Sequence, residues 1–539
     1  MKIEVFGDIN VGKQMKLAKH EAPRENGNLR LIPSRDPSQV GPGKRRRGHR
    51  ALSDPIIMRP ITYEFEKLGI DFSIEGDGLA LQYAIFGGPG SGKTNTLMHL
   101  LSQIVSKCFC KDPCTFNRKT CNNLDRKFGG LILDPKAALI DDVKAIFSAC
   151  DRQDDLIIIN RNELKENGVN VLDCCLDPSD LGNAMVTAVQ STGVDASEPY
   201  WFQQIGMIFG AIIWLLKFTK DVPTINGVMQ QALLTRIGNK LYLERLIKDA
   251  QESYEEYKEE KGVRDLPYND PVKIAYRDAQ QVVDDYLKSQ EKDKIILTQF
   301  MRQAFGAFGK FENLCYSDGS NRLNIYDQII EEGKFILVST GPQELMISRI
   351  LPTLVKFIYQ RTVLSRFDRY PEELHNAERP LLLMADEYHV VATEIEGNPF
   401  GDSEFFSQSR QFGALSIMAT QSVKQLEKSL GDAWEAISGT LSAIMFMSQR
   451  DPYTAEFAQK YSGEHENLVH RMGVNINNDG RSTSDSPEII KELRIPPGII
   501  EHKLTVGQVV VVGKTKGHSQ PSTTSYVQVP EFIPPNKES

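Results

Sequence analysis

Residues 87–94 read GGPGSGKT and follow the short apolar run YAIF. A glycine-rich loop with this spacing, placed between a strand and a helix, binds phosphates through its backbone N–H groups. Lys93 is expected to reach the β- and γ-phosphates of a nucleotide, and the Thr94 hydroxyl is expected to bind Mg²⁺. The next residues, NTLMHLLSQIVSKC, carry apolar side chains at helical spacing, as a helix that begins at the loop requires. The sequence therefore predicts an α/β P-loop fold.

A second stretch, GDINVGKQ at residues 7–14, has the same spacing but lacks the chemistry. Gln14 stands where the Mg²⁺-binding hydroxyl is needed, and β-branched Ile9 and Val11 lie inside the loop, where glycines ease tight backbone turns. No sustained apolar face follows it before Pro23. We therefore assign nucleotide binding to the other loop, at Gly87, Gly88, Pro89, Gly90, Ser91, Gly92, Lys93, Thr94 and Asn95.

Composition indicates a soluble protein with two or more domains, since 539 residues include 40% hydrophobic and 25% charged residues. With a net charge of −8, no general basicity indicates a nucleic-acid partner. The segment 41–50, GPGKRRRGHR, is locally basic, and is either a tether that contacts DNA or RNA phosphates or a solvated linker. No signal peptide opens the chain, and the apolar run at 205–216 is too short to span a bilayer, so we expect a buried helix there and a cytoplasmic protein.

Four of the eight cysteines, Cys108, Cys110, Cys114 and Cys121, lie in one short stretch. Four thiolates in one loop can bind Zn²⁺ tetrahedrally, although the spacing is not that of paired C-x2-C knuckles. The alternative is a loop of free, reduced thiols. Both interpretations stay open at this point.

Apolar runs of strand length alternate with helical patterns, which indicates a mostly parallel sheet covered by helices. Between about 178 and 315 the patterns are helical throughout, and 473–488 is rich in loop residues. We expect a basic N-terminal segment at 1–55 and a C-terminal tail at 516–539. Between them, a nucleotide-binding domain is expected in two parts, 56–177 and 316–515, which an all-α insertion at 178–315 separates. The cysteine loop at 108–121 belongs to the part at 56–177.

Polar residues follow three of the predicted strands. In LLLMADEYH (381–389), Asp386 is expected to hold Mg²⁺ and Glu387 to orient and deprotonate the attacking water. The alternative is an ordinary buried strand that ends in a solvated acidic pair. Asp134 with Lys136, and Thr420 with Gln421, end two other strands at the edge where ligands of parallel sheets bind, and Gln421 is placed to sense a γ-phosphate.

The motifs LILDPKAAL, YWFQQIGMIFGAII, EEGKFILVST, MADEY, SRQFGALSIMATQS and SQRDPYTAEFAQKYSG occur in this order along the chain. In this the chain resembles type IV secretion coupling proteins of the TraG/TraD kind, within the HerA/FtsK group of DNA-pumping ATPases, over roughly residues 80–515. The resemblance implies a RecA-like nucleotide-binding domain interrupted by an all-α domain, and a hexameric motor that moves DNA. Most coupling proteins begin with membrane helices, whereas this chain begins with a short basic segment.

The resemblance also implies roles for individual residues. Asp386 and Glu387 would form the second acidic motif, Gln421 the strand-end sensor, and Arg410 a finger that acts on the ATP of a neighbouring subunit. An Arg410 paired with a local carboxylate such as Glu404 is the alternative for that residue.

The leading functional hypothesis is an ATP-driven DNA translocase that uses ATP and Mg²⁺ in a homo-hexamer. It would work with DNA and with a relaxase, a secretion channel or a nuclease. One alternative is a HerA-like helicase that assists a nuclease in DNA processing or phage defence. Another is a nucleotide-gated module that recruits a substrate and rarely turns over.

The two glycine loops give the first prediction. Lys93→Ala is expected to abolish nucleotide binding or hydrolysis, because it removes the cation that reaches the phosphates. Lys13→Ala is the matched control and is expected to leave ATPase activity nearly intact. Steady-state hydrolysis by the two variants checks this, and equal losses would contradict the assignment of a single nucleotide site.

Overall fold

The protein is described from a computed structural model. It describes the whole chain except residues 1–15, 18–55, 63–71, 75–79, 107–126, 161–168, 175, 192–198, 226, 229–236, 306–321, 342–344, 367–378, 395–400, 478–479, 515–521, 530–531 and 533–539. The loop at 7–14, the basic segment at 41–50 and the four clustered cysteines all lie outside the described residues. What was predicted for them therefore stays a prediction.

The described strands are numbered along the chain. They are β1 (Lys16–Leu17), β2 (Ile56–Thr62), β3 (Phe72–Ile74), β4 (Gln82–Phe86), β5 (Gly129–Asp134), β6 (Leu156–Asn160), β7 (Phe335–Ser339), β8 (Leu381–Ala385), β9 (Ala414–Thr420), β10 (Ala443–Met447), β11 (Glu464–Asn477), β12 (Gly480–Leu493), β13 (Gln508–Gly513) and β14 (Thr523–Gln528).

Seven of these strands form a continuous parallel sheet in the order β10-β4-β9-β8-β5-β7-β6. Beyond β10 the sheet continues with antiparallel β13, β14 and β2. The central strands are apolar at nearly every position and buried along their whole length, as expected for a sheet covered on both faces. The predicted α/β class with a mostly parallel sheet is confirmed.

The described helices are also numbered along the chain. They are α1 (Lys93–Ser106), α2 (Ile140–Ala149), α3 (Pro178–Gln190), α4 (Pro199–Phe218), α5 (Ile237–Glu260), α6 (Pro271–Lys288), α7 (Glu291–Phe305), α8 (Leu345–Leu364), α9 (Asp402–Gln408), α10 (Val423–Leu430), α11 (Ala433–Thr440) and α12 (Pro452–Ser462). Helical turns of three to six residues lie at Gln153–Asp155, Tyr326–Glu331, Tyr388–Val390, Ser409–Phe412 and Ile499–Lys503.

Side chains of β4 alternate between two apolar clusters on opposite faces of the sheet. Tyr83 and Ile85 belong to the cluster that contains residues of α1 and α2. Ala84 and Phe86 belong to the other, which contains residues of α3, α4, α8 and α11. The strand that leads into the phosphate loop is therefore fixed from both sides.

Helices α3 to α7 all lie between β6 and β7 in the chain, where the sequence predicts an all-helical insertion. The backbones of α3 and α4 are in close contact at Gly182 and Gly206. A Cβ at Gly182 would overlap the carbonyl oxygen of Gly206, so the contact requires glycine there. Within the described residues, Tyr200–Phe218 is the one helix with the length and composition to cross a membrane, and 61% of its most apolar window is buried in the protein. This burial agrees with the core helix expected at 205–216.

Two segments expected as loop or tail form strands. The stretch 473–488 lies in an antiparallel hairpin of β11 and β12, and within the described residues these strands pair only with each other. Its residues are mostly polar, so the sequence has no apolar alternation that would indicate a strand. The expected tail at 516–539 contains β14, which pairs with β13 and buries Ser525 and Val527 against it.

A fully buried ion pair joins α8 to the chain after β8. Lys356 donates to Asp402 Oδ1 at 2.6 Å, to the Val391 carbonyl at 2.6 Å and to Thr393 Oγ1 at 3.0 Å. The second oxygen of Asp402 accepts from the Thr393 N–H at 2.9 Å. Burial lowers the pKa of Lys356, and the charge of Asp402 opposes that shift. Both charges are thus satisfied only while the two segments stay together.

Asp402→Asn is expected to lower the free energy of unfolding by about 3–5 kcal/mol, because it leaves the buried Lys356 ammonium without its counter-charge. Urea denaturation followed by circular dichroism measures the change. Glu252→Gln is the matched control, since Glu252 pairs with Lys248 on the exposed face of α5. The control is expected to change stability by at most about 0.5 kcal/mol, and an equal loss in both variants would contradict this prediction.

Candidate nucleotide-binding site

The carboxyl ends of β4, β9, β8 and β5 lie side by side at one edge of the sheet, because these neighbouring strands are parallel. Gly87, Gln421 and Asp386 directly follow three of these strands, and Asp134 ends the fourth. Ligands of open parallel sheets bind at this edge. The strand order therefore gathers polar residues that are far apart in sequence.

The glycine-rich loop is attached to the strands on both sides of β4. The N–H of Gly87 donates to the Thr420 carbonyl at 3.3 Å, and the N–H of Gly88 donates to the Ser448 carbonyl at 3.0 Å. Gly92 has φ +102°, and a Cβ there would stand 3.2 Å from the Gly507 nitrogen, so this position requires glycine. Helix α1 begins at the next residue, with its N-terminus at the loop.

Lys93 is buried within the loop that it ends. Its Nζ donates to the carbonyl oxygens of Gly87 at 2.7 Å and Gly88 at 3.2 Å. Burial lowers the pKa of Lys93, while the negative charges of Glu387 and Asp386 oppose that shift. The arrangement keeps a cation at the loop's centre, where phosphate oxygens would be better partners than neutral carbonyls.

Thr94 and Asp386 meet across the site. The Thr94 hydroxyl donates to Asp386 Oδ2 at 3.4 Å, although 292 residues separate the two. Asp386 is 4% exposed, and burial together with the charge of Glu387 raises its pKa. A hydroxyl and a carboxylate are hard oxygen ligands of the kind Mg²⁺ prefers, so these two residues fit a Mg²⁺ ion.

Glu387 is the most constrained residue of the site. It is 2% exposed and has φ +48°, in the left-handed region that non-glycine residues rarely adopt. Its Oε1 accepts from Lys136 Nζ and from Gln421 Nε2, the latter at 3.1 Å. Burial alone would raise the pKa of Glu387, but the hydrogen bonds from Lys136 and Gln421 outweigh it and hold the pKa below its usual value.

The other oxygen of this carboxylate, Glu387 Oε2, is buried and accepts no hydrogen bond from the described residues. Its near neighbour is His389 Nδ1 at 3.4 Å, and that nitrogen lies 3.0 Å from Thr420 Oγ1. Burial lowers the pKa of His389, which disfavours the charged form that would pair with Glu387. One carboxylate oxygen is thus fixed by two donors, and the other is left for a further donor.

Asp134 supports the site from below. It is fully buried, and its carboxylate accepts from the N–H groups of Ala138 at 3.2 Å and Leu139 at 2.8 Å and from the Ser339 hydroxyl at 2.9 Å. The structure confirms that Asp134 ends its strand at the ligand edge. Its oxygens are bonded to the turn that carries Lys136 and to Ser339.

Two residues at the site were not singled out from the sequence. His389 lies beside Glu387. Gln449 packs against Gly88, and both of its side-chain amide atoms are buried with no hydrogen bond to any described residue. Each directly follows or nearly follows a predicted strand, in MADEYH and MFMSQ, and that position was the available signal.

Arg410 lies at the opposite edge of the sheet, in the turn Ser409–Phe412 that precedes β9. Since β9 has seven residues, about 20 Å separate it from Gln421 at the far end of the strand. Among the described residues Arg410 forms no ion pair with Glu404, whose carboxylate accepts from Gln408. The structure therefore brings together Lys93, Thr94, Asp386, Glu387 and Gln421, but not Arg410.

Comparisons with known proteins concern the family and the fold. Residues 397–494 match the family model described as the TraM recognition site of TraD and TraG. The fold is similar to that of the unbound bacterial conjugative coupling protein TrwBdeltaN70, with a TM-score of 0.54, 16% identity, and coverage of 93% of this chain and 97% of that one. The plasmid coupling protein TrwB in complex with GDPNP gives a TM-score of 0.54 and 15% identity, with 93% of this chain and 98% of that chain covered.

TrwB in complex with ADP and Mg²⁺ gives a TM-score of 0.52 and 16% identity, with 92% of this chain and 98% of that chain covered. No curated protein sequence matches the chain. The fold is therefore similar to that of TrwB, a plasmid coupling protein solved with bound nucleotides. The resemblance to type IV coupling proteins of the TraG/TraD kind is confirmed.

Proposed function

We propose that the chain is an ATP-driven DNA translocase that resembles conjugative coupling proteins. The observation that carries the proposal is the meeting of Lys93, the Thr94–Asp386 pair and Glu387 at one sheet edge. The fold supports it, because TrwB has been seen with a non-hydrolysable ATP analogue and with ADP and Mg²⁺. ATP and Mg²⁺ are accordingly the proposed ligands.

Each group has a defined task in phosphoryl transfer, where positioning and charge neutralisation dominate. Thr94 and Asp386 would hold Mg²⁺, which neutralises charge on the phosphate oxygens. Lys93 exchanges its loop carbonyls for the β- and γ-phosphates. Glu387 orients the attacking water and accepts its proton. Gln421 donates to Glu387 and lies at the end of the strand next to the loop strand, so it links the γ-phosphate position to the base.

Glu387→Gln is expected to bind Mg-ATP with near-normal affinity and to hydrolyse it at least 10²-fold more slowly, because only the proton acceptor is removed. Asp386→Asn is expected to weaken Mg²⁺-dependent binding instead. Nucleotide titration and steady-state hydrolysis, each with and without DNA, separate the two effects. Wild-type turnover is expected to rise when DNA is added.

Two outcomes would contradict the proposal. Wild-type hydrolysis by Glu387→Gln would show that this carboxylate is not the base. An ATPase rate that DNA leaves unchanged would favour the nucleotide-gated recruitment module over a translocase. Single-molecule pulling on duplex and single strands then separates a translocase from a HerA-like helicase that partners a nuclease.

The proposal includes a ring, most plainly a homo-hexamer, in which Arg410 acts on the neighbouring subunit. Its distance from the nucleotide site of its own chain, and the absence of an ion pair with Glu404 among the described residues, support action in trans. A guanidinium supplied by a neighbour stabilises the charge on the transferring phosphoryl group. A head-to-tail interface of this kind closes into a ring by rotation.

Arg410→Ala is expected to lower the hydrolysis rate by about 10³–10⁵-fold, the range for arginine fingers. When Arg410→Ala and Lys93→Ala chains are co-assembled, activity is expected to recover in part, because intact sites form at some interfaces. Arg277→Ala, which changes an exposed arginine of α6, is the control. Full activity of Arg410→Ala alone, or no recovery in demonstrably mixed oligomers, would contradict the trans role.

The match over residues 397–494 supports a docking role for this segment toward a relaxosome protein of the TraM kind. A relaxase, a secretion channel or a nuclease completes the proposed set of partners. A cytoplasmic location is part of the same proposal. It is supported by the burial of the apolar helix Tyr200–Phe218 inside the protein.

A further inference from the structure

We propose that Lys136 is a positioning residue for hydrolysis: through its contact with Oε1 it fixes the orientation of the Glu387 carboxylate at the site. This inference rests on the proposed ATPase function. Lys136 lies just after β5, outside both the glycine-rich loop and the acidic strand, so neither of those motifs includes it.

The contacts of the carboxylate carry the first step. Lys136 and Gln421 both donate to the same oxygen, Glu387 Oε1, whereas Oε2 is buried and accepts no hydrogen bond within the part of the chain that the structure describes. The two donors come from the ends of β5 and β9, which lie on either side of β8. Donors from the ends of both neighbouring strands therefore hold Oε1 of Glu387, and this fixes the orientation of the whole carboxylate.

The backbone that carries Lys136 is itself rigid. Asp134 fixes the turn by accepting two backbone N–H groups of residues 138 and 139, and the Ala137 N–H donates to the Asp134 carbonyl at 3.2 Å. Ala137 has φ +54°, a strained conformation that persists where the surrounding structure determines it. A strained turn held by a buried carboxylate is suited to presenting one side chain at a fixed place.

The different exposures of Lys136 and Glu387 argue that their contact is more than a surface ion pair. The Lys136 side chain is 49% exposed, but that of Glu387 is 2% exposed. A buried carboxylate needs fixed donors, whereas an exposed pair contributes little. Without Lys136, Gln421 alone would hold Oε1, and the carboxylate would turn about that single contact.

The test uses Lys136→Met, with Lys136→Arg as the conservative variant and Lys127→Met as the matched control. Lys127 pairs with Asp155 just before the opposite end of the same strand, away from the site. Titration with a fluorescent ATP analogue in Mg²⁺ gives the affinity, and single-turnover hydrolysis gives the rate. A crystal structure of Lys136→Met locates the Glu387 carboxylate.

Lys136→Met is expected to slow hydrolysis by about 10–10²-fold, the cost of a misplacement of about 1 Å, while the affinity stays within about twofold. Its Glu387 Oε1 is expected to leave the position seen here. Lys136→Arg is expected to recover much of the rate, and Lys127→Met to match the wild type.

Three results would overturn the inference: an unchanged rate in Lys136→Met, a faster DNA-free rate, which would make Lys136 a restraint on the base, or a large loss of affinity, which would make it a phosphate ligand. A wild-type chain that binds no Mg-nucleotide would instead overturn the proposed function itself. The two failures are therefore distinguishable.

Discussion

The parallel pairing of β4, β9, β8 and β5 determines where the polar residues of the candidate site lie. It places four strand ends side by side, and the contacts of Thr94 with Asp386 and of Glu387 with Lys136 and Gln421 join residues from different strand ends. Thr94 follows β4 and Asp386 follows β8, and only β9 lies between these two strands, so their side chains are close enough to meet. The end of β9 supplies Gln421. A change in strand order would leave the same motifs in the sequence with no site between them.

The site also depends on carboxylates whose work differs although their settings are alike. Asp134, Asp386 and Glu387 are all buried at the same edge. Asp134 accepts from two backbone N–H groups and the Ser339 hydroxyl, all from the turn after β5 and the neighbouring strand. Asp386 accepts from the Thr94 hydroxyl and the Glu387 N–H, and both donors to Glu387 contact the same oxygen. The donors that surround each carboxylate are thus consistent with the structural role of Asp134 and with the different roles proposed for Asp386 and Glu387.

The loop and the acidic strand were predictable because their chemistry is written in adjacent residues. The α/β class followed from the alternation of apolar runs with helices for the same reason. The contact of Lys136 with Glu387 joins residues 251 positions apart, and no local pattern contains the strand order that brings them together. The hairpin of β11 and β12 was not predicted because residues 473–488 are mostly polar in sequence, whereas its strands pair through backbone hydrogen bonds that any side chain permits.

The buried pair of Lys356 and Asp402 has a mechanical consequence. Asp402 begins α9, the short helix that leads into the turn bearing Arg410. Its carboxylate accepts from the Thr393 N–H and from Lys356, which also donates to the Val391 carbonyl, so it is bound to the chain that follows Glu387. Separating two buried charges costs several kcal/mol, so this one pair holds the segment after the acidic strand and the start of α9 together. Loss of either charge would therefore loosen both the surroundings of Glu387 and the attachment of the turn that bears Arg410.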